Sequence, residues 1–318
     1  MKPAPLNIQQ MKPLIPLWTG HSQTLLGHLI SSDPFKFSTT EEILTLPDGD
    51  QILLKYRDQK SSITLSLYHG LGGDSDADYI RRSSNIAHDL GWNIVLVNHR
   101  CASNKAPSQK TYHSGRGEDA DAVIQWSRQK FQNSKQVVLG FSMSGSILLN
   151  LLTSRYGEHQ PDAAIIVNAP LDLNRASKLL TTGFSRIYDY RFYRILKKLV
   201  EQKENLKLPS IGTTRKFDDL YTSKANGFID AQDYYMQCSV KDYLNRIKVP
   251  TYVLSSEDDP FIDIRDYKSA QWSEKVHLHI SRYGGHMGYY SRKKDPQYGR
   301  RWLDQYLVSV FDQIQRKW

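Results

Sequence analysis

A serine at a glycine-flanked joint, an acidic turn and a histidine in a glycine-rich loop are the chemistry-bearing residues of this chain. Ser142 lies in Gly140-Phe141-Ser142-Met143-Ser144-Gly145, where the apolar run QVVLGF passes into the helix-like run SGSILLNLL. A nucleophilic hydroxyl needs such a strand-to-helix turn, so sharp that only small residues fit two before and two after it. Around Ser142 these are Gly140 and Ser144. The second glycine of the usual Gly-x-Ser-x-Gly arrives one residue late, and Ser144 in its place is expected to narrow the pocket or shift the turn. For Ser144 the flanking pair is Ser142 and Ser146; for Ser146 it is Ser144 and bulky Leu148. Ser142 is therefore the better nucleophile, against the plainer reading of a turn that merely uses small residues. Gly20-His21-Ser22-Gln23-Thr24 also fits a loosened turn but follows no strand. In Gly183-Phe184-Ser185-Arg186-Ile187, Ile187 falls where a small residue is required.

A serine alone is inert at neutral pH; it needs a base, and the base needs an orienting carboxylate. Downstream, PTYVLSS ends in Glu257-Asp258-Asp259-Pro260, and KVHLHIS ends in Arg282-Tyr283-Gly284-Gly285-His286-Met287-Gly288. His286, just past a strand, is the expected base, whereas His277 and His279 fall inside that strand. Asp259, the last acid before Pro260, is expected in the turn beyond its strand and is preferred as the orienting acid, with Asp258 next and Glu257 last. The oxyanion of an acyl-transfer intermediate needs aimed donors. The Met143 N–H directly follows the nucleophile. The Leu71 N–H lies in His69-Gly70-Leu71-Gly72-Gly73, where glycines allow close backbone approach. His69 and Asp74 also stand at a spacing seen in some acyltransferases, which the overlap with this loop makes a coincidence.

These groups need a sheet to hold them. EILTLPDGDQILLKY reads as a hairpin with Asp-Gly at a tight turn. ITLSLYHG, WNIVLVN, QVVLGFS, AAIIVNAP, PTYVLSS and KVHLHIS are short, apolar and rich in β-branched residues, as buried parallel strands are. Helical spacing is present near residues 79–90, 117–131, 144–154 and 299–315. Alternating strands and helices after a hairpin predict a doubly wound α/β sheet. The stretch 171–245 is far longer than one crossover requires and too aromatic to be disordered, so it is expected to be a helical lid or cap inserted into a core of residues 1–170 and 246–318.

The composition excludes several classes. With 39% hydrophobic and 11% aromatic residues among 318, the chain can build a proper core. Its formal net charge is +9, from 42 Lys and Arg against 33 Asp and Glu. The cations are dispersed and no nucleic-acid motif is present, so Lys197-Lys198 and Arg292-Lys293-Lys294 read as solvated faces. Cys101 and Cys238 have no partner spacing, which speaks against a disulfide framework or zinc site and for a reducing compartment. No apolar run approaches the roughly 20 residues of a spanning helix. The N-terminal stretch MKPAPLNIQQMKPLIPLW lacks a signal-peptide core, and the cytoplasm is the expected location.

The motifs together resemble the YheT-like α/β hydrolases, a bacterial branch related to eukaryotic medium-chain lipases and acyltransferases. The resemblance begins at His21-Ser22-Gln23-Thr24-Leu25 and runs through Leu-Pro-Asp-Gly-Asp at 46–50, the His69-Gly70 loop, Tyr112-His113-Ser114-Gly115 and Glu118-Asp119. It continues through Phe217-Asp218-Asp219, Asp233-Tyr234-Tyr235 and Gln237-Cys238-Ser239 to the two loops holding Asp259 and His286. It implies an α/β-hydrolase fold with a mostly parallel eight-stranded sheet, a triad of Ser142, Asp259 and His286, and no cofactor. It also implies short- to medium-chain acyl esters as substrates, glycerolipids among them; the aromatic insert is expected to cover the acyl group, and the cationic residues near it to attract anionic headgroups in transient contact with a lipid surface. Two departures stand out: Ser144 replaces a glycine, and Asn98-His99-Arg100-Cys101-Ala102-Ser103 lacks the glycine of a family-like Asn-x-Arg-Gly-Cys-Ser. The expected activity is ester hydrolysis through an acyl-enzyme on Ser142. Acyl transfer to an alcohol and a non-catalytic, ligand-binding homologue are the alternatives.

Overall fold

The structure, a computed structural model, describes residue 6, residues 8–204 and residues 207–318. Residues 1–5 and 7 of the N-terminal stretch and 205–206 of the insert lie outside the described residues. The chain enters through helix α1 (Gly20–Leu29) and then forms β1 (Thr40–Thr45) and β2 (Gln51–Arg57). β3 (Ile63–Tyr68), α2 (Asp78–Asp89), β4 (Asn93–Val97), α3 (Gly117–Lys130), β5 (Lys135–Phe141), α4 (Met143–Leu152) and β6 (Ala163–Val167) follow. The insert contributes α5 (Leu173–Leu180), α6 (Arg186–Glu204), α7 (Thr214–Phe217), α8 (Ser223–Ala225) and α9 (Ala231–Cys238). The core resumes with β7 (Thr251–Ser256), α10 (Ile264–Ser269), β8 (Val276–Ser281), the hairpin β9 (Tyr290–Asp295) and β10 (Gly299–Arg301), and α11 (Trp302–Gln315).

One eight-stranded sheet runs in the order β1-β2-β4-β3-β5-β6-β7-β8. β2 is antiparallel to both β1 and β4, and every later pairing is parallel. The apolar strands bury both faces. Val138, Ile166 and Val253 belong to one hydrophobic cluster, while Val137, Leu139, Ile165 and Leu254 belong to the other with α2 and α11. The β1–β2 connection is the expected tight turn, closed by Gly49 N–H to the Leu46 carbonyl (2.9 Å), with a glycine bulge after it. It spans Leu46–Asp50, pairs the Leu46 N–H with the Asp50 carbonyl (2.8 Å), and uses Gly49 at φ 87°. Its acids converge on a guanidinium: Arg100 binds Asp48 (2.9 Å), Asp50 (2.5 Å) and, through two nitrogens, Asp119 on α3 (2.7 Å each). The hairpin is thereby tied to the helix layer by a buried ion cluster.

The sheet order decides where a ligand can sit. From β3 the chain moves outward to β4, and from β4 it crosses back to β5 on the other side of β3. Loops leaving β3 and β5 therefore diverge, opening a crevice at their carboxyl ends. The insert leaves the core after β6 and is closed at its base. The Val240 and Lys241 amides both donate to the Leu171 carbonyl (3.0 and 3.1 Å), and the Leu173 N–H donates to Ser239 Oγ (2.9 Å).

Candidate active site

Ser142 occupies the turn between β5 and α4 with φ 53° and ψ −122°. Positive φ is unfavourable for a residue with a Cβ and persists only where the surroundings impose it. Here the Ser142 N–H donates to the Val167 carbonyl (2.8 Å) and its own carbonyl accepts from Gly145 N–H (2.9 Å). Gly140 is obligatory, since a Cβ there would stand 2.8 Å from the Ser144 carbonyl oxygen and 2.6 Å from Leu148. Gly145 likewise permits close packing against Ala169, 2.6 Å from where a Cβ would be.

Three sequence-distant side chains meet at this turn. Ser142 Oγ lies 2.9 Å from His286 Nε2, and His286 Nδ1 lies 2.8 Å from Asp259 Oδ2. A carboxylate only accepts, so Nδ1 carries the proton and Nε2 is left to accept from the serine hydroxyl. Asp259 is held on every side. Its Oδ1 accepts from Phe261 and Ile262 N–H (3.1 Å each), and its Oδ2 also accepts from Asn168 Nδ2 (2.8 Å). The Asn168 carbonyl oxygen in turn accepts from the Tyr289 hydroxyl (2.9 Å). Asp258 does not reach the imidazole; its Oδ1 accepts from Gly285 N–H (2.8 Å) and steadies the histidine's loop. His277 and His279 lie within β8.

The loop after β3 passes directly over Ser142: a Cβ on Gly70 would be 3.2 Å from the serine Cβ. Gly70 N–H donates to the Tyr79 hydroxyl (2.9 Å) and Gly72 N–H to the Tyr112 hydroxyl (2.7 Å). The Leu71 N–H between them has no acceptor among the described residues. Met143 N–H is the first amide of α4 and has no intrahelical acceptor either. Two free donors thus flank the serine.

Ser144, expected to crowd the pocket, does not line it. Fully buried, its hydroxyl donates to the His69 carbonyl and accepts from His99 Nε2 (2.6 Å). His69 Nδ1 donates to the Gly70 carbonyl (2.8 Å), and its Nε2 accepts from His99 N–H (3.2 Å). The serine in place of glycine is therefore a strut between the turn and the loop over it. Burial pushes His69 down to about 4 and His99 well below its ordinary value, so both remain neutral near pH 7. Enclosed in this way, His69 is unavailable to act with Asp74. The glycine missing after Arg100 has a similar substitute, since Cys101 itself adopts φ 62°.

Helix α1 reaches the site without any signal in residue type or spacing that announces a catalytic role. Its Thr24 hydroxyl accepts from His286 N–H (2.8 Å) and donates to the Gly20 carbonyl (2.7 Å). Gln23, fully buried, accepts from Tyr290 N–H (2.6 Å) and donates to the Leu17 and Tyr290 carbonyls (2.6 and 3.1 Å). Gly285 packs so closely that a Cβ would fall 2.3 Å from the Gly20 carbonyl oxygen. The Gly20–Thr24 segment, which only loosely fits a nucleophile turn, is a clamp on the histidine loop. The Thr19–Ser22 capping box marks its start.

A cleft with about 770 Å³ of empty space, including its open mouth, leads away from Ser142. Leu71, Met143, Phe192, Leu196, Phe261 and Ile262 supply apolar wall. Ser177, Thr214, Thr222 and Asp218 add a polar patch, in which Asp218, pushed up to about 6 by burial, accepts from the Tyr235 hydroxyl (2.7 Å).

The strand-ordered sheet and the serine turn at its crevice define a class. The family profile described as alpha/beta hydrolase fold matches residues 64–293, and the chain belongs to that family. Within it, the sequence falls with the YheT-like branch: it is 33% identical over 285 residues to "Putative esterase YheT" of Escherichia coli (strain K12), covering 85% of this chain and 84% of that protein. It is 27% identical over 311 residues to phospholipase ABHD3 of Homo sapiens, covering 90% of this chain and 75% of that one. Among solved structures, the Pyrococcus furiosus esterase Pf2001 superposes with a TM-score of 0.60 over 98% of both chains at 14% identity, a likeness of fold.

Proposed function

We propose that this chain is a serine hydrolase of carboxylic esters that works through an acyl-enzyme on Ser142. The unbroken line Ser142–His286–Asp259, beside the two free N–H groups of Leu71 and Met143, carries the reading. His286 Nε2 takes the hydroxyl proton as Ser142 Oγ bonds to the ester carbonyl carbon. The carbonyl oxygen becomes an oxyanion held by the two amides. His286 then gives its proton to the leaving alcohol, and the same base activates water to release the acid. Asp259 holds the neutral imidazole in the tautomer whose Nε2 accepts, and stabilises the imidazolium that forms when it takes the proton.

The apolar cleft walls suit a short- to medium-chain acyl group, and the esterase and phospholipase names of the relatives favour glycerolipid esters. Residues 171–245 act in this reading as the lid or cap, because α5 and α6 supply cleft wall from above the sheet edge. Such substrates reside in bilayers, so transient contact with an anionic lipid surface belongs to the same reading. The two cysteines are free, which suits the cytoplasm. No described helix is long and apolar enough to cross a membrane.

The test joins a fluorophosphonate probe to a p-nitrophenyl ester chain-length series. Wild-type protein labels and Ser142→Ala does not, with turnover lowered on the order of 10⁶-fold. Labelling that survives in Ser142→Ala but vanishes in Ser144→Ala overturns the assignment. No labelling of either protein favours the non-catalytic alternative.

A further inference from the structure

Two helices border the histidine loop and the cleft, and nothing among the described residues covers their outer faces. On α1, the His21 ring meets the rings of Phe184 and Tyr188 (4.8 and 5.8 Å). Two turns further, partial burial and then the Arg191 guanidinium push His28 down. Helix α1 therefore meets the start of α6 through His21. Residues beside those contacts face solvent: Leu25 and Leu29 on α1, Phe184 just before α6, and Ile187 and Tyr190 on it. Ile15 and Trp18 extend the strip ahead of α1. Of eleven large apolar residues exposed among the described ones, seven lie here, with Trp18 at 63% and Leu29 at 77% exposure. That is a patch rather than scatter.

Its charge is one-sided. Arg186, Arg191, Arg194 and Lys198 are exposed along α6 and form no ion pair among the described residues. The one acid between residues 186 and 200, Asp189, is buried and accepts from Thr214 N–H (3.0 Å). On the opposite flank, Leu14 N–H bonds the Tyr290 carbonyl (3.3 Å) and Arg292 N–H bonds the Lys12 carbonyl (2.7 Å), which sets the exposed Lys12 and Arg292 side by side three residues ahead of Ile15, with Lys293 and Lys294 farther out. An apolar strip carrying Trp and Tyr, edged by cations and free of exposed acids, is complementary to acyl chains below and anionic headgroups around them. A second copy of the chain fits badly, because a self-complementary contact would stack these cations on each other.

We propose that the α1/α6 face docks on the surface of an anionic phospholipid bilayer and turns the cleft mouth toward it. Delivery of a lipid ester to Ser142 rests on the hydrolase reading above; the docking does not. Sedimentation with vesicles of phosphatidylcholine, with and without one-third phosphatidylglycerol, tests it. Wild-type protein binds the mixed vesicles, binds pure phosphatidylcholine far less, and is released by salt. Arg186→Glu/Arg191→Glu/Arg194→Glu lowers partitioning at least about tenfold, and Trp18→Ala/Leu29→Ala lowers it on mixed vesicles too. Both variants keep wild-type turnover of a soluble p-nitrophenyl ester without vesicles, which also reports their folding. Equal binding to both vesicles, undiminished binding by the charge-reversed variant, or association only with acidic protein or with itself overturns the proposal. If vesicle binding behaves as described but wild-type protein turns over no ester, docking stands and the hydrolase reading falls. Ester turnover without vesicle binding leaves the hydrolase reading standing and overturns the docking.

Discussion

Ser144 carries more of the local architecture than its place beside the proposed nucleophile announces. Replacing it with alanine leaves the His69 carbonyl and the His99 Nε2–H without partners in a dry site. The expected cost is about 1–3 kcal/mol, read by urea unfolding. Fluorophosphonate labelling persists but kcat falls, because the Leu71 amide loses its support; unchanged kcat would show that the strut is dispensable. His69 stays neutral above about pH 4, so an inflection of kcat/KM between pH 5 and 9 does not report its titration. The serine turn, the acidic turn and the glycine-rich histidine loop are readable from residue type and order. The role of Ser144 is not, because its partners come from β3 and β4 loops that only folding brings together. The choice between Asp258 and Asp259 is open in the sequence for the same reason: adjacent carboxyls project differently, and only the backbone decides which faces the imidazole.

At the scale of elements, α1 is the least obvious contributor. Thr24→Val removes the acceptor of the His286 amide while preserving bulk. Misplacing a base by a fraction of an ångström is expected to lower kcat on the order of tenfold, with KM little changed. Thr24→Ser restores the rate. A Thr24→Val enzyme with wild-type kcat and pH profile removes α1 from the mechanism. The core strands are legible because both their faces are apolar, and α2 to α4 because their spacing is regular. α1 is hidden by two glycines and the absence of charge. The β9–β10 hairpin is hidden because YSRKKD is polar and is held by Pro13 and Leu14 from the chain's other end.

Across the whole molecule, stability toward acid centres on Arg100. Burial works to raise Asp48 and Asp50, but the guanidinium and neighbouring amides override it and hold both below the usual carboxylate range. Groups with depressed folded pKa stabilise above their unfolded value, near 3.8, and lose that contribution as pH falls further. Arg100→Met leaves three carboxylates facing each other and costs about 3–5 kcal/mol at pH 7. The gap to wild type should shrink as pH drops below about 4, where protonated carboxyls no longer need the cation. Urea titrations at the two pH values measure it, and a gap independent of pH refutes the assignment. The Asp-Gly-Asp turn and the Glu118-Asp119 pair are visible as motifs; their shared cation is not, since it lies some fifty residues from one and nineteen from the other.

The doubled bond of Val240 and Lys241 to Leu171 has an evolutionary meaning. It staples the excursion shut where it leaves the sheet, while Ser114, Arg116 and Arg155 of the core hold its later part through Tyr234, Asn226 and Gln237. In the proposed reading, cleft-lining residues that make none of these bonds, such as Leu180 and Phe192, are where descent can change the preferred acyl group without loosening either anchor.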